Sequence, residues 1–181
     1  MRFQAEKREK MTDKEYQDKF CWFDGDFSGV KSKERTRKFG EVFTPRWIVE
    51  KMLDEIPGCS EIGKTVFEPA CGEGAFLCCV LRRKLEAAKT DAESVNACKD
   101  CYGVDIQYDN VILCRRKLVA IASAYGVNPD DARFIFARNV IHGDMIWFPM
   151  LCRFFDWQRD EWTNLETMAS IPNVKTCCKP L

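Results

Sequence analysis

Between Gly40 and Asp144 the apolar residues switch repeatedly between helical and strand spacing, and this alternation predicts a fold. Ile48, Val49, Met52 and Leu53 share one face of a helix that Thr44 caps, Pro45 opens, and Pro57 and Gly58 stop. A short buried strand from Thr65 to Glu68 runs into the turn Pro69-Ala-Cys-Gly-Glu-Gly74, and a second helix follows from Ala75 to Ala88. A polar loop then leads to Asp100, a second strand covers Cys101 to Ile106, and a third helix spans Asn110 to Tyr125. Phe134 to Ile141 reads as a third strand, ending at His142-Gly143-Asp144. Strands alternating with helices at this spacing predict an α/β domain with a parallel sheet flanked by helices. The expected organisation is a charged N-terminal arm over 1–39, a domain over 40–150 and an aromatic C-terminal tail over 151–181. Within the arm, Thr12 and Glu15 have the spacing of a capping box, which predicts a helix from Thr12 to Phe20.

Composition narrows the class. In 181 residues, 28 basic side chains offset 28 acidic ones, and 46% hydrophobic content supplies a packed core without any run approaching a bilayer span. A neutral chain lacks a strongly basic grip on nucleic acid, although the cluster Lys31, Lys33, Arg35, Arg37 and Lys38 leaves two readings open, a phosphate contact or a solvated linker. Eleven cysteines are an odd number, and the charged first 19 residues lack the apolar core of a signal peptide. Reduced thiols in a cytoplasm are therefore expected. Cys98 and Cys101 have metal-ligand spacing, but the adjacent pair Cys177 and Cys178 is poorly arranged to complete a zinc site, so no metal is expected.

Ligands of open α/β sheets bind beyond the carboxyl ends of the strands, which makes the residues ending each strand the informative ones. After the first strand, Gly72 and Gly74 let the backbone turn tightly and approach a ligand, while Glu68 and Glu73 disfavour a polyanion and suit an amino-acid or sulfonium group. After the second, Asp105 can accept hydrogen bonds from ribose hydroxyls. After the third, Asp144 offers a carboxylate to an exocyclic amine, with apolar Met145 and Ile146 beside it. The turn is neither G-x-G-x-x-G nor a Walker sequence.

The segment Phe67-Glu-Pro-Ala-Cys-Gly-Glu-Gly-Ala-Phe-Leu77 resembles the first motif of the S-adenosylmethionine-dependent N6-adenine DNA methyltransferases. Gly40-Glu-Val-Phe-Thr-Pro45, entering an amphipathic helix, resembles the family's segment over the methionine moiety. Tyr102-Gly-Val-Asp-Ile106 and Asn139-Val-Ile-His-Gly-Asp144 are similar to its ribose and adenine motifs. The resemblance covers about residues 40 to 148 and implies a Rossmann-like methyltransferase sheet, truncated, with S-adenosylmethionine as cofactor. It implies Phe43, Thr44 and Pro45 beside the methionine end, and Glu68, Pro69, Ala70, Gly72 and Gly74 around the amino acid and sulfonium. Asp105 and Ile106 would hold ribose and adenine, with Asp144 and Met145 at the adenine amino group.

The departures matter as much. The family's catalytic Asn/Asp/Ser-Pro-Pro-aromatic tetrapeptide does not occur in these 181 residues, and no target-recognition domain is expected among them. Asp156, between Phe155 and Trp157, is the candidate for a replacement acceptor beside an aromatic platform. Two function classes follow. One is a methyltransferase-like protein of a restriction-modification or phage system, with weak or partner-dependent activity on DNA. The other is an inactive, methyltransferase-derived counter-defence protein that binds a host nuclease, either a restriction enzyme or a Cas9-type enzyme (an anti-CRISPR). An RNA or protein acceptor is a third reading, because cofactor motifs do not fix the acceptor. Expected partners are DNA or a nucleic-acid-processing protein complex, with a partner subunit and no membrane.

Overall fold

The β-branched pair Thr65 and Val66 and the aromatic Phe67 favour extended backbone, and Thr65–Glu68 forms strand β1, as the pattern predicts. The computed structural model describes residues 32–39, 41–42, 44–164 and 174–176. Along these, the elements are α1 (Lys33–Phe39), α2 (Arg46–Asp54), β1, α3 (Ala75–Ala87), α4 (Asp91–Lys99), β2 (Cys101–Asp105), α5 (Tyr108–Ala124), α6 (Pro129–Asn139) and β3 (Val140–His142). A short 3-10 turn (Pro149–Leu151) leads to β4 (Arg153–Asp156), β5 (Glu161–Asn164) and β6 (Val174–Thr176). The helix expected over Thr12 to Phe20 and the cysteines Cys177 and Cys178 lie outside the described residues.

Four strands form a parallel sheet in the order β3-β2-β1-β6, and β4 and β5 pair as a separate antiparallel hairpin. The sheet residues alternate between two cores. Val66 and Cys101 face the helices, packed with Leu77, Leu81, Val111, Leu118 and Phe136. Phe67, Tyr102 and Val104 face the other way, onto Cys152 and Phe154 of the hairpin side. Phe154 meets Phe67 edge-on at 5.2 Å between ring centres, and the Tyr102 hydroxyl donates to the Phe155 carbonyl at 2.7 Å. The stretch read as an aromatic tail thus contributes the hairpin that covers one sheet face and a strand, β6, beside β1.

Two segments differ from the sequence reading. The stretch expected as a polar loop before Asp100 holds α4, because Thr90 caps it: the Glu93 amide donates to the Thr90 hydroxyl, and the Glu93 carboxylate accepts from the Lys89 amide. Residues 134–139, expected as strand, are helical. Asn128 accepts from the Asp130 amide and Pro129 opens α6, whose Ala132, Ile135, Phe136 and Asn139 form one buried face. Strand β3 is reduced to Val140–His142. Thr44 does not cap α2 directly, since Pro45 occupies the N-cap position, and the helix ends at Asp54, before Pro57.

Lys84 is fully buried at the amino end of the sheet, where its ammonium donates to the carbonyls of Glu61 and Lys64 and to Asp100 at 3.1 Å. Asp100 also accepts from the Gly63 amide at 2.7 Å, so this pair fixes the loop entering β1. Burial holds the Asp100 carboxyl above the usual carboxylate range, outweighing the opposite pull of Lys84 and Gly63.

Candidate functional site

The register carries β2 beyond β1: Glu68 pairs with Gly103, and Asp105 lies two residues further along, opposite His142. The turn after β1 folds back onto this overhang, with the Cys71 amide donating to the Val104 carbonyl at 2.8 Å. Gly72 takes a left-handed backbone (φ 52°) and turns its amide onto Asp105 Oδ2, also at 2.8 Å. Asp105 Oδ1 accepts from the Gln107 amide at 2.8 Å and from Asn110 Nδ2 at 3.2 Å. One carboxylate therefore organises the turn after β1 and the loop after β2 together.

Beyond these strand ends opens a cleft of about 470 Å³. Pro69, Ala70, Gly72, Asp105, Ile106, Asp144 and Met145 all line it, so residues singled out at three separate strand ends meet in one space. Asp144 Oδ1 accepts from the Ile146 and Trp147 amides at 2.9 and 3.0 Å, which shapes the wall formed by 144–147. Other expected residues stand behind the lining. Glu68 is buried and accepts from the Ala70 amide at 3.3 Å. Gly74 caps α3 at φ 91°, against Cys114. Thr44 and Pro45 precede α2 outside the cleft lining, and Phe43 lies outside the described residues. Glu73, expected to bear on ligand charge, pairs instead with Lys117 at 2.9 Å. Asp156 is buried at the other end of the strands, lining a separate pocket with Thr65, Asp100 and Tyr102, and caps its own turn through the Gln158 and Arg159 amides.

Sequence reasoning missed Gln107, Asn110 and Trp147, which also line the cleft, and carried Glu41 only within the segment likened to the one over the methionine moiety. Asn110 had no local signal beyond its place in the first turn of α5. Of the cluster proposed to touch phosphates or solvent, Arg35 is engaged with carboxylates: it bonds Glu41 at 2.6 Å and Asp109 at 2.7 Å, which ties α1 to α5. Among the charged lining residues, Glu41, Asp105 and Asp144 outnumber Lys38, so the described cleft suits a neutral or cationic ligand better than a polyanion. Cys71 is no nucleophile: a hydrogen bond with Cys114 and burial hold its thiol well above the usual range. Cys98 and Cys101 are buried core thiols, and burial pushes the former up to about 12. Among the described residues, no three metal-ligating side chains cluster and no helix is long and apolar enough to cross a membrane.

A parallel sheet with its helices on one face, carrying a cleft past the carboxyl ends of β1 to β3 with an acidic residue at the end of β2, defines a Rossmann-like protein of the methyltransferase kind. A model of the N-6 DNA Methylase family matches residues 26–127, and the chain belongs to that family. It is 30% identical over 81 residues to the Type I restriction enzyme EcoEI methylase subunit of Escherichia coli. That alignment takes in 44% of this chain and 16% of the relative, so the chain matches only a small part of that protein's length. No solved structure matches the chain.

Proposed function

We propose that this chain binds S-adenosylmethionine in the cleft beyond β1, β2 and β3, as the cofactor-binding part of an N6-adenine DNA methyltransferase that completes its acceptor site with a partner subunit. Family membership implies this cofactor class. The observation that carries the reading is the convergence of Pro69, Ala70, Gly72, Asp105, Ile106, Asp144 and Met145 on one cavity. The residues fit the cofactor chemically: carboxylates for hydroxyl and amine donors, apolar Ile106 and Met145 for a base, and an acidic balance for a cationic sulfonium.

When bound, S-adenosylmethionine supplies a methyl group activated by its sulfonium. Asp105, already fixed by the Gly72 and Gln107 amides, offers its remaining acceptor capacity to a ribose hydroxyl without reorganising. Asp144 would accept from the adenine amine, while Ile106 and Met145 exclude water from the faces of the base. Transfer to an adenine N6 further requires acceptors aimed at the amine as positive charge develops there, and losing one such group costs about a hundredfold or more in rate. The Asn/Asp/Ser-Pro-Pro-aromatic tetrapeptide that would provide them is not among the 181 residues, so in this reading the acceptors come from outside them. The relative's printed description as a subunit is consistent with this.

A second reading is favoured by one observation. Ile146, Trp147, Phe148, Met150 and Leu151, at or beside the rim of the cleft, are all exposed, Ile146 at 82% and Trp147 at 77%. Such a run suits a protein contact, as a counter-defence protein binding a host nuclease would need. Tritium transfer from labelled S-adenosylmethionine to unmodified DNA, combined with a binding measurement, separates the two. Binding with little transfer by the isolated chain is expected. Robust formation of N6-methyladenosine by the pure chain would overturn the partner dependence, and absence of binding would overturn the cofactor reading in favour of the second.

A further inference from the structure

Glu41 stands in the cleft wall with its side chain only 8% exposed. Its Oε1 accepts from Arg35 at 2.6 Å and from Asn110 Nδ2 at 2.7 Å. Its Oε2 is shut off from solvent and has no hydrogen-bond partner among the described residues. A buried acceptor left unmade is costly, so it marks either strain or a bond that a ligand completes. The same Asn110 nitrogen that serves Glu41 also lies 3.2 Å from Asp105 Oδ1, so one amide spaces the two carboxylates. Asp105 is itself heavily used: both of its oxygens already accept from backbone amides, and Oδ1 takes Asn110 as well. With about four lone-pair sites in a carboxylate, it has little capacity for two more donors.

We infer that Glu41 is a second carboxylate of the nucleoside site, so that the vicinal hydroxyls of the ligand's ribose are divided between Asp105 and Glu41, with Asn110 setting their separation. This rests on the cofactor reading above and deepens it. Oε2 is closed to water in the cleft that Glu41 lines, so the ligand must open it as it seats; a hydroxyl donating there then supplies the one partner that oxygen lacks. It also gives the cleft a means of rejecting nucleosides without a full diol, because an analogue missing one hydroxyl leaves that acceptor buried and unpaired.

The test is calorimetric titration of the full chain with S-adenosylmethionine and with its 2′-deoxy and 3′-deoxy analogues, for wild type, Glu41→Gln and Asp109→Asn. In Glu41→Gln, Arg35 and Asn110 both require an acceptor at the Oε1 position, so the amide must turn its NH2 to the Oε2 position and cannot accept there. Wild type is expected to lose about tenfold or more in affinity for each analogue. Glu41→Gln is expected to weaken S-adenosylmethionine and to shrink the penalty for one hydroxyl, which can then only accept from the amide NH2, while keeping the penalty for the other. Asp109→Asn, which loosens Arg35 without touching the cleft, reports the effect of α1 docking alone and should leave all three ligands within about twofold. Binding by wild type with equal losses for all three ligands in Glu41→Gln, or with none, overturns the role of Glu41 and leaves the cofactor reading standing. No binding of S-adenosylmethionine by wild type overturns both.

Discussion

Replacing Asp105 by Asn tests whether this residue builds the site before any ligand arrives. In the structure its two oxygens are not equivalent: Oδ2 takes the Gly72 amide, while Oδ1 takes the Gln107 amide and Asn110 Nδ2. An Asn side chain has one carbonyl oxygen. Placed at the Oδ1 position it keeps two donors satisfied and turns its NH2 against the Gly72 N–H, donor against donor. The alternative orientation loses more. The cost is one charge-assisted hydrogen bond, about 1.5–3 kcal/mol, with a backbone amide left poorly paired beside a residue only 9% exposed. For a domain of this size each kcal/mol moves the melting temperature by about 2–4 °C, so Asp105→Asn should lower it by roughly 3–12 °C in the absence of ligand. Thermal unfolding followed by circular dichroism, with identical buffers and no cofactor, reads this directly. An unchanged transition would refute the reasoning, because a carboxylate that only awaited ribose would have no role in the empty protein.

Lys84→Met should cost about 3–5 kcal/mol, since it strands Asp100 and two carbonyls at the entrance to β1. Because burial already raises the Asp100 carboxyl, its protonated form is favoured by folding, and that contribution is present below the ordinary carboxylate value and lost as pH rises through the raised one. Without Lys84 the shift grows, so urea midpoints of variant and wild type should converge as pH falls from about 7 toward 4, and a gap independent of pH would contradict the assignment. Gly74→Ala combines a left-handed backbone, φ 91°, with a Cβ placed 2.6 Å from Cys114 Sγ, and should cost about 2–4 kcal/mol. Gly63→Ala, at φ 83° with open space around it, should cost only about 1 kcal/mol; equal losses in denaturant titrations would show that packing on Cys114 does not matter.

How much the sequence discloses depends on whether the signal is local. β1 is legible residue for residue, and α3 to within one position, because a short apolar run meets turn chemistry on one side and strong helical spacing follows. α4 carries a weak apolar face, Val95, Ala97 and Cys98, and the Thr90 and Glu93 capping pair that marks its start is easily passed over. In α6 the run Phe134-Ile-Phe imitates a strand, and only Asn128-Pro129 at its start points to a helix. The cleft residues at strand ends are readable because topology puts ligands there. Glu41 is legible only as part of the Gly40–Pro45 segment: no local pattern encodes its contact with Asn110, 69 residues away in the chain. The pairing of β6 with β1 and the packing of Phe154 on Phe67 are likewise set only by tertiary structure.

The central claim is that the cleft beyond β1, β2 and β3 holds S-adenosylmethionine, and isothermal calorimetry of the purified chain with that ligand tests it most directly. The account predicts saturable binding at one site per chain, weakened by about tenfold or more in Asp105→Asn measured below its melting transition. Absence of binding by the folded wild-type chain, or binding that Asp105→Asn leaves unchanged, would contradict it.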